Sequence, residues 1–331
     1  MLGVQLLGNE TVTIKEFPEP TLTYKNDLLI QVKASGICGS EMHGYRSPTA
    51  HTSNGGHEVA GKVIDAGRST KFKVGDRVGI HAVWGCGDCR WCGVGKYTSC
   101  KNRIGRDLGT HVERFAAPDH VCLKLPEDVP FGIGVLLTGD GCGVPYRVSQ
   151  RLNTKGGDFV CVLGAGPVGL GNTIVQSFLG AEVIVIDIND YRLSLAKEAG
   201  AAHTINSKAT DPLEAITEIT HGTLVDKCIE AAGRPETLRL AFTLVAVAGT
   251  IMCVGEQGEL PISPSRDLIR KDITLMGSWF YHYSEYPAML DLYRRGLPIG
   301  RMITDHFPLV EAQTAFSKFA NGEAGKVMLE P

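Results

Sequence analysis

The second half of the chain alternates short apolar runs of strand length with longer runs of helical character. The strand-like runs from residue 158 onward are FVCVLG, EVIVID, HTIN, VDKCIEAAG, TIMCVG and ITLMGS. Helix-like runs such as PVGLGNTIVQSFLG and PETLRLAFTLVAVAG lie between them. Apolar strands joined by helices form a parallel sheet that is covered on both faces. This half therefore predicts a doubly wound α/β domain with a parallel sheet.

The first strand-like run of this domain leads directly into a glycine-rich turn that opens a helix. The turn reads GAGPVG, and the positions of interest are Gly164, Gly166, Pro167, Val168 and Gly169. A GxGxxG motif alone is weak evidence, but the preceding strand and the following helix complete a dinucleotide-binding fingerprint. Its glycines let the backbone approach a pyrophosphate at the positive end of the helix. A tight turn without a ligand is the alternative.

An acidic residue, Asp187, ends the next strand at the distance expected for such a fingerprint. Its carboxylate can accept hydrogen bonds from the adenosine ribose hydroxyls and would repel the 2′-phosphate of NADP. Arg192 follows about one helical turn farther on and could partly offset this repulsion. The sequence therefore favours NAD over NADP as the cofactor.

The first third of the chain has a different period. Segments such as TVTIKEF, DLLIQVKASG, EVAGKVIDAG and DRVGIHAVW place apolar residues at about every second position, between Pro, Gly, Asp and Asn. This is the period of a strand with one buried face. The region is therefore predicted to be mostly β, in a barrel-like arrangement.

A loop of this β region, residues 37–61, contains many side chains that can bind a metal or transfer a proton. It contains a thiol, a hydroxyl, three imidazoles and a carboxylate, which belong to Cys38, Ser40, His43, His51, His57 and Glu58. Cys38 and His57 are ligand types that suit zinc. One Cys and one His remain weak evidence by themselves, so a loop without a metal is an equal alternative at this point.

Four cysteines follow within fifteen residues: Cys86, Cys89, Cys92 and Cys100. Thiols at this spacing can converge on a tetrahedral zinc whose ligand sphere is closed. Two disulfides or chance clustering are the alternatives, and disulfides are disfavoured in a reducing compartment. The prediction is a structural zinc that stabilises a lobe short of apolar residues.

Length and charge limit the class of protein. A chain of 331 residues exceeds what one core usually organises, which predicts two domains. The net charge of −3 is spread along the chain, without the basic tract of a nucleic-acid or membrane partner. The start lacks a charged segment before its apolar residues, so a cytoplasmic protein is expected.

The tail beyond residue 280 is expected to return to the first domain. The predicted domains are therefore 1–141 with 280–331, and 142–279.

The combination of motifs resembles one family. Cys38, GGHEVAG, the four-cysteine lobe, GDGCGVPY and GAGPVG occur in one order over essentially the whole chain, as in the zinc-dependent medium-chain dehydrogenase/reductases. This is the alcohol, sorbitol and threonine dehydrogenase group. The resemblance implies a GroES-like catalytic domain beside an NAD-binding Rossmann domain, two zinc ions per chain and assembly into a homodimer or homotetramer.

The resemblance also implies roles for individual residues. Cys38 and His57 match the first two ligands of the catalytic zinc. The third matches Asp140, six residues before Tyr146, although Cys142 is a softer rival two residues away. Many members of the family have Cys at this point and others an acid. Glu58 resembles the acid behind the zinc that can replace a displaced water; its alternative role is to accept a hydrogen bond from a zinc ligand.

Two further residues resemble the proton path of the family. Ser40 matches the residue that takes the proton from the alcohol, and His43 matches the residue that passes it towards solvent. Zinc then acts as a Lewis acid during hydride transfer to NAD. The chain is thus expected to be a zinc-dependent oxidoreductase for secondary alcohols such as polyols, sugars, cyclitols or amino alcohols. A dehydrogenase of simple alcohols, a zinc-free reductase and a non-catalytic redox sensor are the alternatives, and the sequence does not identify the substrate.

Overall fold

The structure is a computed structural model that describes residues 1–50, 55–104 and 109–331, so His51 lies outside the described residues. The strands, numbered in chain order, are β1 (Leu2–Gly8), β2 (Thr11–Glu16), β3 (Asp27–Gly36), β4 (Glu58–Asp65), β5 (Arg77–Ile80), β6 (Arg114–Pro118), β7 (Cys122–Lys124), β8 (Phe159–Leu163), β9 (Glu182–Asp187), β10 (His203–Asn206), β11 (Val225–Glu230), β12 (Val245–Cys253), β13 (Thr274–Gly277), β14 (Ile303–Pro308) and β15 (Lys326–Glu330).

The α-helices are α1 (Glu41–Arg46), α2 (Arg90–Gly93), α3 (Phe131–Thr138), α4 (Asp140–Leu152), α5 (Pro167–Phe178), α6 (Asp190–Glu198), α7 (Pro212–Ile219), α8 (Pro235–Leu244), α9 (Tyr286–Arg294) and α10 (Ala312–Ala320). Short 3₁₀ segments occupy Tyr97–Ser99, Asp119–Val121, Ile269–Lys271, Tyr283–Glu285, Ile299–Met302 and Leu309–Glu311, and a π-helical turn occupies Pro264–Leu268. Within the described residues, none of these helices has the length and apolar character needed to cross a membrane.

A six-stranded parallel sheet forms the centre of the second half of the chain, in the order β10-β9-β8-β11-β12-β13. The chain starts in the middle at β8, winds outward to β10, and then crosses to β11 on the other side. This order is that of a dinucleotide-binding Rossmann fold. The strands are apolar because helices cover the sheet, and α8 buries Leu238, Phe242 and Leu244 in its core. The predicted doubly wound domain is confirmed.

The first third of the chain and its tail share a second sheet, in the order β14-β15-β3-β4-β5-β7, with β6 also paired to β3. Strand β15 is antiparallel to β3, with Met328 opposite Gly36, and β3 is antiparallel to β4. The hairpin β1-β2 and helix α10 build an adjacent apolar cluster that includes Val4, Ile37 and Phe316. The last strand of the chain therefore lies beside the strand that leads to Cys38.

The chain divides into two compact units. The first unit contains residues 1–143, 280–294 and 303–331, and the second contains 144–279 and 295–302. The sequence-based boundaries had assigned residues 295–302 to the first domain. They lie in the second unit because the Ile299–Met302 segment packs on α5 and the Arg301 guanidinium donates to the Glu198 carbonyl. Residues 142 and 143 belong to the first unit, so the boundary falls inside α4.

His81, directly after β5, is a fully buried imidazole in the first unit. Its Nδ1 lies 2.8 Å from the Val83 carbonyl oxygen, and its Nε2 lies 3.2 Å from that of Tyr281. The rings of Phe280 and Tyr97 pack edge-on against it at 4.9 and 5.6 Å. Burial disfavours the charged imidazolium and lowers the pKa of His81 from 6.5 to about 4.

His81 should make the protein sensitive to acid. Between pH 6.5 and about 4 the unfolded imidazole binds a proton that the folded one does not, so stability falls as pH falls through this window. From pH 7.5 to 5.0 this amounts to about 2 kcal/mol. Over this range the free energy of unfolding of His81→Gln should therefore fall by about 2 kcal/mol less than that of the wild type. Urea unfolding of both proteins in zinc-containing buffer measures the difference, and equal pH dependence would contradict it.

Candidate active site

The four cysteines after β5 surround one point. Cys89 precedes α2, Cys92 lies within it, and Cys100 follows a 3₁₀ turn. Their Sγ atoms are 3.6 Å apart for Cys89 and Cys92, 3.8 Å for Cys89 and Cys100, and 3.9 Å for Cys86 and Cys92. A tetrahedral zinc with bonds of about 2.3 Å requires sulfur–sulfur separations of about 3.8 Å. The four thiols therefore fit a zinc ion with a closed ligand sphere.

None of these sulfurs lies at disulfide distance, which is about 2.05 Å, and the ten cysteines of the chain are free thiols. Hydrogen bonding from the backbone N–H of Cys92 lowers the pKa of Cys89 to about 7. A thiol with such a pKa readily supplies the thiolate that zinc binds. The spacing prediction and the geometry thus favour the same metal-binding lobe.

A second cluster forms where β3 and β4 come together. Gly36, at the end of β3, lies opposite Glu58, at the start of β4. This register brings Cys38, just after β3, close to His57, just before β4. Asp140 reaches the same point from the first position of α4. Three separate segments of the first unit therefore converge on one site.

The donor atoms of this cluster have the separations of a metal site. Asp140 Oδ2 lies 3.3 Å from Cys38 Sγ and 3.0 Å from His57 Nε2. Single donor atoms of these three residues and of Glu58 all lie within 4.8 Å of one another. Zinc bonds of about 2.0–2.3 Å in a tetrahedron give donor separations of about 3.3–3.8 Å. The residues present thus fit a zinc ion.

The electrostatics of the cluster also favour a cation. Burial raises the pKa of the Cys38 thiol, and the Asp140 carboxylate adds to the increase. Burial alone would lower the pKa of His57, but Cys38 and Asp140 outweigh it and raise that pKa well above its usual value. Negative groups gathered out of water are stabilised by a positive charge between them, and a metal ion competes with protons for that place.

The geometry favours Asp140 over Cys142 as the third donor. Two positions along a helix turn a side chain by about 200°, so the two residues leave α4 in nearly opposite directions. Cys142 is fully buried, and its burial raises the pKa of its thiol to about 12. It therefore has the surroundings of a small apolar core residue.

Lys326 is the residue at this site that the sequence analysis did not single out. It starts β15, is 1% exposed, and its Nζ donates to Oε1 of the fully buried Glu58. Burial alone would lower the pKa of Lys326, but the neighbouring negative groups, with Glu58 first, raise it. A lysine at the head of the apolar run KVMLE gives no local signal, because its partner is 268 positions away.

A buried chain of polar groups holds the loop that carries Cys38. The backbone N–H of Cys38 donates to Glu41 Oε2 at 2.9 Å. His111 Nε2 lies 3.1 Å from Glu41 Oε1, and its Nδ1 lies 2.6 Å from Ser35 Oγ. All four residues are buried. His111 therefore has a structural role in the first unit, where it supports the loop that carries Cys38.

Ser40 and His43 lie at the start of α1, immediately after the loop. Ser40 occupies the N-cap position, where its side chain makes no capping hydrogen bond, and His43 follows three residues later. Both side chains are exposed. Residues three apart on a helix are neighbours on one face. A hydroxyl and an imidazole are thus exposed at the start of α1, two and five residues after Cys38.

The glycine-rich turn of the second unit has two kinds of glycine. Gly164 has φ of +96°, and a Cβ on Gly169 would lie 1.8 Å from the Gly164 carbonyl oxygen. Gly166, the N-cap of α5, would place a Cβ in space with no heavy atom within 4 Å. The fold itself requires glycine at positions 164 and 169. The open space at Gly166 is the space that a dinucleotide backbone needs.

Asp187 ends β9 beside this turn. Its Oδ2 accepts from the Ala165 N–H at 2.6 Å, and its Oδ1 accepts from the N–H groups of Ile188 and Asn189 at 2.7 and 3.0 Å. These bonds fix the carboxylate in position. Arg192 lies in the first turn of α6, and its Nε is buried without a hydrogen-bond partner among the described residues.

Comparison with known proteins agrees with this arrangement. The sequence profile of the alcohol dehydrogenase GroES-like domain matches residues 24–127, and that of the zinc-binding dehydrogenases matches residues 167–295. The chain is 30% identical to the L-threonine 3-dehydrogenase of Shewanella frigidimarina, covering 98% of each chain.

Solved structures with the same fold include an alcohol dehydrogenase from Thermus sp. ATN1, with a TM-score of 0.91, 29% identity and complete coverage of both chains. An alcohol dehydrogenase from E. coli, solved with NADH, has a TM-score of 0.88 and 28% identity, covering 100% of this chain and 99% of that one. The chain therefore belongs to the zinc-dependent medium-chain dehydrogenases. Membership implies zinc and a nicotinamide cofactor.

The assignment of Asp140 can be tested against Cys142. We expect Asp140→Asn to weaken zinc binding at the Cys38 cluster by more than about 100-fold, beyond the usual effect of outer-shell residues. Cys142→Ala should keep the wild-type zinc content, because its thiol lies outside the cluster. Metal analysis after dialysis against a chelator measures both variants. Loss of zinc from Cys142→Ala alone would reverse the assignment.

The two kinds of glycine should respond differently to an added methyl group. Gly166→Ala should fold like the wild type but bind NADH at least about tenfold more weakly, a cost of about 1.4 kcal/mol. Gly169→Ala should instead destabilise the second unit by about 1–3 kcal/mol, because its Cβ meets backbone. NADH fluorescence titration and thermal unfolding separate these effects. Unchanged NADH affinity in Gly166→Ala would contradict the proposed pyrophosphate position.

Proposed function

We propose that the protein is a zinc- and NAD-dependent oxidoreductase that transfers a hydride between a secondary alcohol and NAD. The observation that carries this proposal is the convergence of Cys38, His57 and Asp140 on one point, in a chain whose other unit has the dinucleotide turn. A polyol, sugar, cyclitol or amino alcohol is the proposed substrate class.

The two metal clusters differ in the way that catalysis requires. Four thiols at Cys86, Cys89, Cys92 and Cys100 would complete a tetrahedral zinc and leave no position for a substrate. Three donors at the second cluster would leave one position open, as catalytic zinc sites do. We therefore propose two zinc ions per chain, one structural and one catalytic.

The residues of the first unit supply binding and proton transfer. Cys38, His57 and Asp140 would hold the zinc beside the alcohol oxygen. When bound, zinc supplies Lewis acidity that lowers the pKa of the alcohol, and NAD supplies the hydride acceptor. Ser40 Oγ accepts the hydroxyl proton of the alcohol and releases its own. His43, exposed on the same helix, passes the proton to solvent.

The fixed carboxylate of Asp187 supports NAD over NADP. Its orientation is held by three backbone N–H groups, so it cannot easily turn away from a 2′-phosphate. The carboxylate can accept hydrogen bonds from the two ribose hydroxyls of NAD, whereas its charge would repel the 2′-phosphate of NADP. Arg192 follows on α6 and could moderate the preference.

The relatives support a substrate that has a second polar group near its secondary hydroxyl. Threonine, the substrate named for the Shewanella relative, is such an amino alcohol. At this identity the substrate itself does not transfer, since the pocket determines specificity. Assembly into a homodimer or homotetramer and a cytoplasmic location stay predictions.

A screen of cofactor reduction tests the function directly. Zinc-loaded protein is assayed at 340 nm with NAD or NADP over polyols, cyclitols, sugars, amino alcohols and simple alcohols. We expect reduction of NAD with a member of the polar secondary alcohols. Turnover of simple alcohols alone would favour that alternative, and NADH binding without any turnover would favour a redox sensor.

Ser40→Ala should then lower kcat by about 10²–10⁴-fold, the usual contribution of a positioned proton-transfer group. Zinc content and NADH affinity should remain at wild-type values, because Ser40 is neither a ligand nor part of the dinucleotide turn. Cys38→Ala serves as the comparison, since it should abolish turnover together with one zinc. A Ser40→Ala enzyme with wild-type kcat would exclude the proton path.

A further inference from the structure

Beside the candidate catalytic cluster lies a charged pair, Lys326 and Glu58, that zinc binding does not require. Lys326 and Glu58 are 1% and 0% exposed, and the ammonium donates to Oε1 of the carboxylate. A buried ion pair is retained only when its geometry and surroundings compensate for the loss of hydration. Glu58 follows His57 in the chain and lies close to the metal donors, so the charges of the pair act on the metal site.

The carboxylate of Glu58 is within reach of the metal position. One donor oxygen of Glu58 is within 4.8 Å of the donor atoms of Cys38, His57 and Asp140. Its Oε2 is buried and has no hydrogen-bond partner within the described part of the chain. A buried carboxylate that lies beside three metal donors and has one oxygen without a hydrogen-bond partner is chemically able to become a fourth ligand.

The charge balance explains why Lys326 is needed. A divalent cation is neutralised by the Cys38 thiolate and the Asp140 carboxylate, while His57 contributes no charge. Glu58 would add an uncompensated negative charge, and its fully buried carboxylate has no water to stabilise it. Lys326 supplies the matching positive charge, so the carboxylate is satisfied without approaching the cation.

The chain makes room for this lysine at one position of β3. A Cβ on Gly36 would lie 2.8 Å from Lys326 Cε and 3.1 Å from Val135 Cγ1. Because β15 is paired with β3, the lysine side chain passes over Gly36 on its way to Glu58. Its position is therefore defined by the sheet and not by a flexible loop.

We propose that Lys326 is a positioning residue that keeps Glu58 out of the permanent ligand set, so that a fourth position stays available for the substrate. This inference rests on the proposed function of the Cys38 cluster. Without the ammonium, the buried charge of Glu58 is best satisfied by the cation itself. The open site then becomes a closed one with four protein ligands.

The test is the rate at which a chelator removes the zinc of the Cys38 cluster. The Asp140→Asn protein, which is expected to lose this zinc on dialysis, identifies its phase in the release curve. We expect Lys326→Met to release it at least about tenfold more slowly than the wild type, within the range of outer-shell effects on metal affinity. A lysine that merely supported the fold would have the opposite effect on removal.

Cobalt substitution gives a second readout. In the wild type an added alcohol or imidazole should perturb the visible cobalt spectrum, because a position is open. In Lys326→Met the same additions should leave the spectrum unchanged. Unchanged or faster zinc release, together with a responsive cobalt spectrum, would overturn the proposal.

The double variant Lys326→Met/Glu58→Gln is the matched control. It removes both charges at once, so it avoids the unpaired carboxylate and should fold even if the single variant does not. Its zinc release should return to the wild-type rate. Release more than about tenfold faster would mean that Glu58 is already a ligand in the wild type, and would overturn the proposal. A wild-type protein that takes up no metal at this cluster would instead refute the proposed function.

Discussion

The site depends on the antiparallel pairing of β3 with β4. This pairing sets Gly36 opposite Glu58, so the loop after one strand and the residue before the other meet at one end of the sheet. A shift of one residue would turn every side chain of a strand to the opposite face. The position of Cys38 relative to His57 is therefore a property of the sheet register. Loop sequence alone could not maintain it.

The buried groups below the loop reinforce this register. Glu41 accepts from the backbone N–H of Cys38, and His111 connects Glu41 to Ser35. Each member is satisfied by the next, which a buried polar network requires if it is to be stabilising. The loop is thus fixed from two sides, by the strands and by this network.

Sequence reasoning succeeded where the chemistry is local. The four cysteines and the GAGPVG turn lie in short segments whose spacing implies their geometry. Asp140 needed the family resemblance, because 83 positions separate it from His57. Lys326 was missed, since its partner is distant and an isolated lysine before an apolar strand is usually exposed. Nothing in the sequence indicated that residues 295–302 belong to the second compact unit, because packing against α5 has no signature in that segment.

The two metal clusters also differ in the stage of synthesis at which they can form. The four cysteines lie within fifteen residues, so their lobe can bind zinc as soon as it leaves the ribosome. The other cluster gathers its donors from the residue that precedes β4, from the loop after β3 and from the start of α4, and Lys326 arrives on the last strand. Chains are completed from the N-terminus, so a nascent chain exposes Cys38, His57, Glu58 and Asp140 before their positive partner exists. A chain that lacks β15 would therefore offer a metal four protein ligands. Addition of β15, with Lys326, would free one position of the metal for the substrate.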